Sequence, residues 1–282
     1  MSITDDILGK IDYLPPLPVS VTKVFQMLKD PKVTVDNIAE VIKLDPAIAT
    51  SILRLCNSSY FSLNRKVTNI REAVVYVGLS QLKKIMVLSG TRQYFEKRKP
   101  GYEKKEGELW MHVLATSIIA EKLNELFKSV NKDDVYISAL LHDIGKVVLS
   151  EFVMDASKEI LSMVEQKGVS FLEAEKSVLG INHAEVGAKV LELWGFSEDV
   201  ISAVKNHHML FKEDDSELDN IIQVSNSLAV TMDYGTGVDG VAYYNISDIC
   251  RLYNIKQNTL EKIMEESLEK IKQIEAEYGF AK

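Results

Sequence analysis

Residues Leu140-Leu141-His142-Asp143-Ile144-Gly145-Lys146 set a histidine, an aspartate and a lysine inside an otherwise apolar run from Val135 to Leu149. A stretch that is apolar nearly all round predicts a buried helix. Burying an ionised Asp143 is costly unless partners compensate its charge. Adjacent helical positions diverge by about 100°, so His142 and Asp143 can approach one ion from two sides. A metal ion shared with other parts of the chain is the explanation this stretch favours.

The chain has five histidines, and the other four also fall on the apolar sides of predicted helices. His112 shares a face with Ala115, Ile119 and Leu123, and Glu108 lies one turn earlier, giving a carboxylate and an imidazole at i, i+4. His183 follows the cap residue Asn182 and faces Val186, Val190 and Leu193. His207 and His208 end a helix that starts after Ser197, below Ala203 and Val204. Asn226 continues an inward face with Ile222 and Val230. Each has an ordinary explanation in isolation: a hydrogen-bonded core imidazole, favourable charge at a helix C-terminus, a core amide. Taken together, those explanations need a private partner for every buried ring, and one shared ion is simpler.

Around these segments the helical period recurs from end to end, with no sustained period-two alternation, so an all-α fold is expected. Thr34, and Asp45 with Pro46, mark helix starts. Ser170 with Glu173 and Asn182 with Glu185 have capping-box spacing. Helices are therefore expected to begin near 35, 46, 171 and 183. The charged, Pro-Gly-broken segment Phe95 to Lys105 reads as a connection, giving an N-terminal helical unit over 1–95 and a metal-binding unit over 106–282. Leu260, Ile263, Met264, Leu268, Ile271, Ile274 and Tyr278 form a stripe that fits a terminal helix packed on its own domain, or a short dimerising coil.

The chain's 282 residues, 46% hydrophobic and 26% charged, suffice for one large or two moderate cores. A net charge of −8 argues against duplex DNA or an anionic membrane as main partner. The N-terminal helices carry no dense basic stripe, so nucleic-acid binding is not expected. No charged, apolar leader and no apolar run near the roughly 20 residues of a membrane span is apparent, which reads as cytoplasmic. Cys56 and Cys250 lack paired spacing and read as reduced packing residues.

His112, His142-Asp143, His183 and His207-His208 follow the ligand order of the HD superfamily of metal-dependent phosphohydrolases. Leu14-Pro15-Pro16-Leu17-Pro18, Leu44-Asp45-Pro46, Leu53-Arg54-Leu55-Cys56-Asn57-Ser58, Ile70-Arg71-Glu72-Ala73-Val74 and Val77-Gly78-Leu79 resemble the HDOD family more specifically, and the motifs together span roughly residues 12 to 210. The resemblance implies a helical output module of bacterial signalling, often with a degraded enzymatic site, here an N-terminal helical bundle packed on an HD-type core. It shares that core with the HD-GYP phosphodiesterases of cyclic di-GMP. It assigns His112, His142, Asp143, His183, His207 and His208 as metal ligands, with Glu108 as an extra carboxylate. Two departures stand out: Asn226, in Val224-Ser225-Asn226-Ser227, occupies the place of a late aspartate ligand, and Met209-Leu210-Phe211-Lys212 replaces a Gly-Tyr-Pro segment. An amide oxygen ligates less strongly than a carboxylate, so one of two ion positions should bind less tightly, and cyclic di-GMP hydrolysis is disfavoured.

Two functions follow from the resemblance. One is a non-catalytic or weakly catalytic signalling module that relays the state of its metal site to another signalling protein. The other is an active phosphohydrolase on a nucleotide or other phosphate ester, with Asp143 bridging two ions and Lys146 holding a phosphate oxygen. The cofactor is one or two divalent ions, iron favoured, with manganese, nickel or zinc as alternatives. A phosphorylated small ligand and a homodimer remain open as partners.

Overall fold

The structure, a computed structural model, describes residues 3–28, 30–58, 65–127, 130–209, 216–235 and 246–278. Among them every element is helical and no strand occurs. The helices expected near 35, 46, 171 and 183 begin at Val35, Pro46, Phe171 and His183. Thr34, Asp45, Ser170 and Asn182 cap them through their side chains, three of them in reciprocal capping boxes.

The chain divides into two compact units: residues 1–15 with 94–271, and residues 16–93 with 272–282. In the smaller unit, α2 (Val19–Met27), α3 (Val35–Lys43) and α4 (Pro46–Cys56) precede the long α5 (Ile70–Phe95). Val21, Val24, Ile38, Ile42, Ile52, Leu82 and Met86 are buried. Asp45 caps α4 through one carboxylate oxygen, and its other oxygen accepts the Ser20 hydroxyl at 2.7 Å, tying α2 to α4. Helix α5 is interrupted at Gly78, whose φ of 75° is a conformation that only glycine adopts without strain. Asn57 Oδ1 accepts the Val67 N–H at 2.7 Å, and its Nδ2 donates to the Val67 and Leu53 carbonyls.

The larger unit carries all five histidines. Helix α1 (Ile3–Tyr13) belongs to it and packs on α8 (Ile144–Asp155) and α11 (His183–Leu193), although it lies in the N-terminal stretch of sequence. Thr4 donates to the Leu179 carbonyl at 3.0 Å. The segment after α5, read from sequence as a connection, is partly buried. Phe95 and Tyr102 are enclosed, and the Glu103 carboxylate accepts the main-chain N–H of Lys99 and that of Leu109. Leu109 lies in the first turn of α6 (Glu108–Leu123), whose orphan donors need acceptors. The Glu103 carboxylate is thus a helix cap.

Helix α6 packs on α7 (Lys132–Leu141) and α13 (Glu217–Thr231), α8 on α11, and α12 (Glu198–Asn206) on α7, α11 and α13. Helices α9 (Ser157–Lys167) and α10 (Phe171–Leu179) pack on each other, α14 (Ile246–Leu252) adjoins α13, and α15 (Gln257–Tyr278) follows. Ile263, Ile271 and Ile274 of the terminal stripe are buried, and Glu266 pairs with Lys122 of α6 at 2.7 Å. The side chain of Tyr278 lies outside the described residues. No described helix is long and apolar enough to cross a membrane.

Candidate metal centre

Val135 to Leu149 is not one continuous helix. The ladder breaks at His142-Asp143, where His142 closes α7 and Asp143, at φ −100° and ψ 13°, opens α8. The break turns both side chains inward from the junction rather than along one helical face. Just beyond it, α8 crosses α11 at very close range. A Cβ on Gly145 would lie 1.9 Å from the His183 carbonyl oxygen and 2.7 Å from the Gly187 nitrogen. Glycine at 145 thus brings the start of α11, with His183, against Asp143.

Asp143 is fully buried, and four Nε2 atoms surround its carboxylate. His112 and His142 approach Oδ2 at 3.3 and 3.4 Å, while His183 and His207 approach Oδ1 at 3.6 and 3.5 Å. His208 completes the Oδ1 side; its ring centroid lies 4.1 Å from that of His207 and 4.9 Å from that of His183. Potential ligand atoms fall into two mutually close sets sharing Asp143: one with His183, His207 and His208, the other with His112 and His142.

The outer nitrogens fix the tautomers. Nδ1 of His112 lies 2.8 Å from the Tyr234 carbonyl, that of His142 2.7 Å from Ala139 O, and that of His207 2.6 Å from Val204 O. Nδ1 of His183 lies 2.7 Å from a Glu175 carboxylate oxygen. Each Nδ1 must donate to its oxygen, so in the neutral rings every Nε2 presents a lone pair inward. Two such lone pairs, on His112 and His142, face each other at 3.1 Å. Two acceptors at that separation repel unless a cation lies between or beside them. Asp143 Oδ1 and His183 Nε2 are buried with no hydrogen-bond partner among the described residues, a condition polar atoms rarely tolerate. Inward lone pairs from imidazoles around one carboxylate fit a divalent transition-metal ion.

Lys146, also fully buried, donates to Asp143 Oδ2 at 2.8 Å, with its ammonium 5.6 Å from the Tyr102 ring centroid. Burial alone would raise the Asp143 carboxyl, but the Lys146 ammonium beside it holds it well below the usual range. Burial pushes His142 and His208 down and brings His207 to about 4. His183 goes up despite burial, because Glu175 lies behind it. Neutral His142, His207 and His208 beside an ionised carboxylate are in the protonation states that metal ligation requires.

Two expected ligands are placed differently from the rest. The Glu108 carboxylate is half-exposed, accepts the Lys104 N–H at 2.8 Å, and belongs to neither close set. Asn226 is buried on α13, the helix that packs on α6, α7 and α12. Met209 ends the described stretch after His208; Leu210, Phe211 and Lys212 lie outside it. Sequence reasoning missed Glu175 and Tyr102. Glu175 Oε2 accepts both the main-chain N–H and Nδ1–H of His183, and Oε1 accepts the Tyr102 hydroxyl. The signal was available: Glu175 stands on the buried face of α10 with Phe171, Ala174 and Leu179, an acid on an apolar stripe.

An all-helical protein with a buried histidine–aspartate cluster at the junction of two helices is thus defined. The chain belongs to the HDOD domain family, whose sequence profile matches residues 14–210. An uncharacterized protein of Treponema pallidum (strain Nichols) is 26% identical over 205 residues, which are 72% of this chain but 39% of that protein, so the chain spans well under half of that relative. Among solved structures, an HDOD domain protein of unknown function from Geobacter sulfurreducens has a TM-score of 0.74 at 23% identity, covering 97% of this chain and 95% of that one. A candidate phosphohydrolase from Shewanella amazonensis SB2B has a TM-score of 0.72 at 22% identity, covering 95% and 97%. At such identities the likeness is one of fold.

Proposed function

We propose that this protein is a bacterial, cytoplasmic HDOD signalling module whose histidine–aspartate cluster holds one or two divalent ions, iron favoured, and that it is non-catalytic or weakly catalytic. The observation carrying this reading is the Asp143 carboxylate with two inward Nε2 lone pairs on each oxygen. His183, His207 and His208 would hold an ion on the Oδ1 side, His112 and His142 one on the Oδ2 side, with Asn226 a weak further ligand. A divalent pair supplies Lewis acidity toward a phosphate oxygen. The chain's own contribution to turnover would be modest, for two reasons. Asn226 adds no charge to neutralise a second ion, and Lys146, which would hold a phosphate oxygen, is engaged by Asp143 Oδ2. Occupancy would instead set the packing of α7, α8, α11 and α12, and that state would be relayed to another signalling protein.

The second reading, a phosphohydrolase acting on a nucleotide or other phosphate ester, is favoured by the preserved ligand set and by the naming of the Shewanella protein. In that case Asp143 and Lys146 are the groups that meet the substrate. Elemental analysis combined with turnover assays on cyclic dinucleotides, nucleotides and a generic phosphodiester separates the two. The expected result is bound transition metal, its content reduced in His142→Ala and in His183→Ala, and no turnover with iron, manganese, nickel or zinc. Turnover abolished by His142→Ala would overturn the first reading, and protein that binds no metal would overturn both.

A further inference from the structure

We propose that the two ion positions are unequal: the one on the Oδ1 side of Asp143 fills first, and Glu175, held by Tyr102, positions His183 for it. The inference rests on the reading of the cluster as a metal centre. His112, His142 and His207 each direct Nδ1 at a neutral main-chain carbonyl. His183 alone among these four directs it at a carboxylate, and that carboxylate is fully buried. A carboxylate behind a ligating imidazole fixes its tautomer and orientation and raises the basicity of the inner nitrogen. Glu175 cannot easily turn away, because three donors hold it: His183 N–H, His183 Nδ1–H and Tyr102 O–H. Tyr102 is itself fixed between Phe171, at 5.9 Å between ring centroids, and the edge of His183 at 6.2 Å.

The charge balance points the same way. The Oδ1 side has Asp143 with Glu175 behind it, and Oδ1 accepts no hydrogen bond from the described residues. Oδ2 already accepts from the Lys146 ammonium at 2.8 Å, so a second cation there competes with an existing one. Removing an outer-sphere partner typically weakens metal binding by about tenfold to a hundredfold.

The test uses the metal-free protein titrated with cobalt(II), followed by calorimetry and by the visible ligand-field spectrum, with an anomalous map at one equivalent. The expected peak lies among Asp143 Oδ1, His183, His207 and His208. Glu175→Gln should weaken the first ion by about tenfold to a hundredfold and shift its spectrum while leaving the second ion's affinity unchanged. Tyr102→Phe should move the first affinity in the same direction by less. His112→Ala should remove the second ion and spare the first, which keeps the test decisive if Glu175→Gln fails to fold. A first peak beside His112 and His142, or an unchanged first affinity in folded Glu175→Gln, overturns the assignment. Binding of no ion at all instead defeats the metal reading itself.

Discussion

Replacing Gly145 with alanine adds one methyl group where α8 crosses α11, and the structure gives the size of the insult. The new Cβ would sit 1.9 Å from the His183 carbonyl oxygen and 2.7 Å from the Gly187 nitrogen, both main-chain atoms that cannot rotate away. Ordinary carbon–oxygen contacts are well beyond 3 Å, so the helices must separate by more than about 1 Å where dense packing resists it. Overpacking of side chains costs about 1–3 kcal/mol, and a clash with backbone belongs at or above the top of that range. For a unit of this size the expected loss is then about 6–12 °C in Tm. The same displacement carries His183 away from Asp143 Oδ1, so metal binding should fall along with stability. Gly187→Ala is the control: its Cβ would meet the Val204 side chain at 3.1 Å and the Gly145 nitrogen at 3.4 Å, contacts that a small adjustment relieves. Calorimetric unfolding and metal stoichiometry of the two variants test the reasoning. Equal losses in both, or a Gly145→Ala protein with native Tm and full metal content, would refute the claim that this crossing sets the site.

Acid should destabilise the metal-free protein. Burial depresses His142, His208 and His207, the last to about 4. The unfolded chain therefore takes up protons first as pH falls from the ordinary histidine value near 6.5, and the stability these groups contribute is lost across that window. His207 alone accounts for about 3 kcal/mol, and His183, raised by Glu175, opposes with stability that is fully present below its unfolded value and lost at higher pH. Urea midpoints that stay flat between about pH 7 and about pH 4 contradict this balance. Asn57→Ala removes three side-chain hydrogen bonds to Val67 and Leu53 and should cost about 1–3 kcal/mol; an unchanged denaturant midpoint for the smaller unit counts against that role. Burial lifts the Cys56 thiol to about 11, so Cys250 should react first with a thiol reagent in native protein. Mass spectrometry finding Cys56 labelled first would contradict the burial argument.

The parts of this molecule that sequence discloses are those encoded by local chemistry. Capping side chains name the first residue of α3, α4, α10 and α11, because one oxygen and one N–H three residues on decide each boundary. The histidines reveal themselves because a titratable ring on an apolar face is costly without a partner. The break between α7 and α8 escapes such reading, since Val135 to Leu149 keeps its apolar pattern through the junction while the close crossing beside it is with α11, where the His183 carbonyl meets Gly145. Within segment 95–105 the charge pattern does not disclose that Glu103 accepts the main-chain N–H of Lys99 and that of Leu109 in the first turn of α6.

The candidate ligands and their supports differ in the same way. His112, His142, His183, His207 and His208 advertise themselves by residue type, whereas three of the four acceptors behind their rings are carbonyls of Tyr234, Ala139 and Val204, which any side chain would supply. No residue code marks a carbonyl. Only Glu175 departs from this, and an acid on the stripe of Phe171, Ala174 and Leu179 is as anomalous as a histidine on one. Applying the burial-cost argument to every ionisable residue on an apolar face, rather than to histidines alone, would have brought Glu175 into the site with its ring. It would also have set Glu108 apart from the buried groups, since it is half-exposed and bonded to a loop N–H. Burial cost is therefore the better guide to the enclosed cluster than i, i+4 spacing: spacing describes one helix, while a buried charge demands a partner wherever the fold brings one.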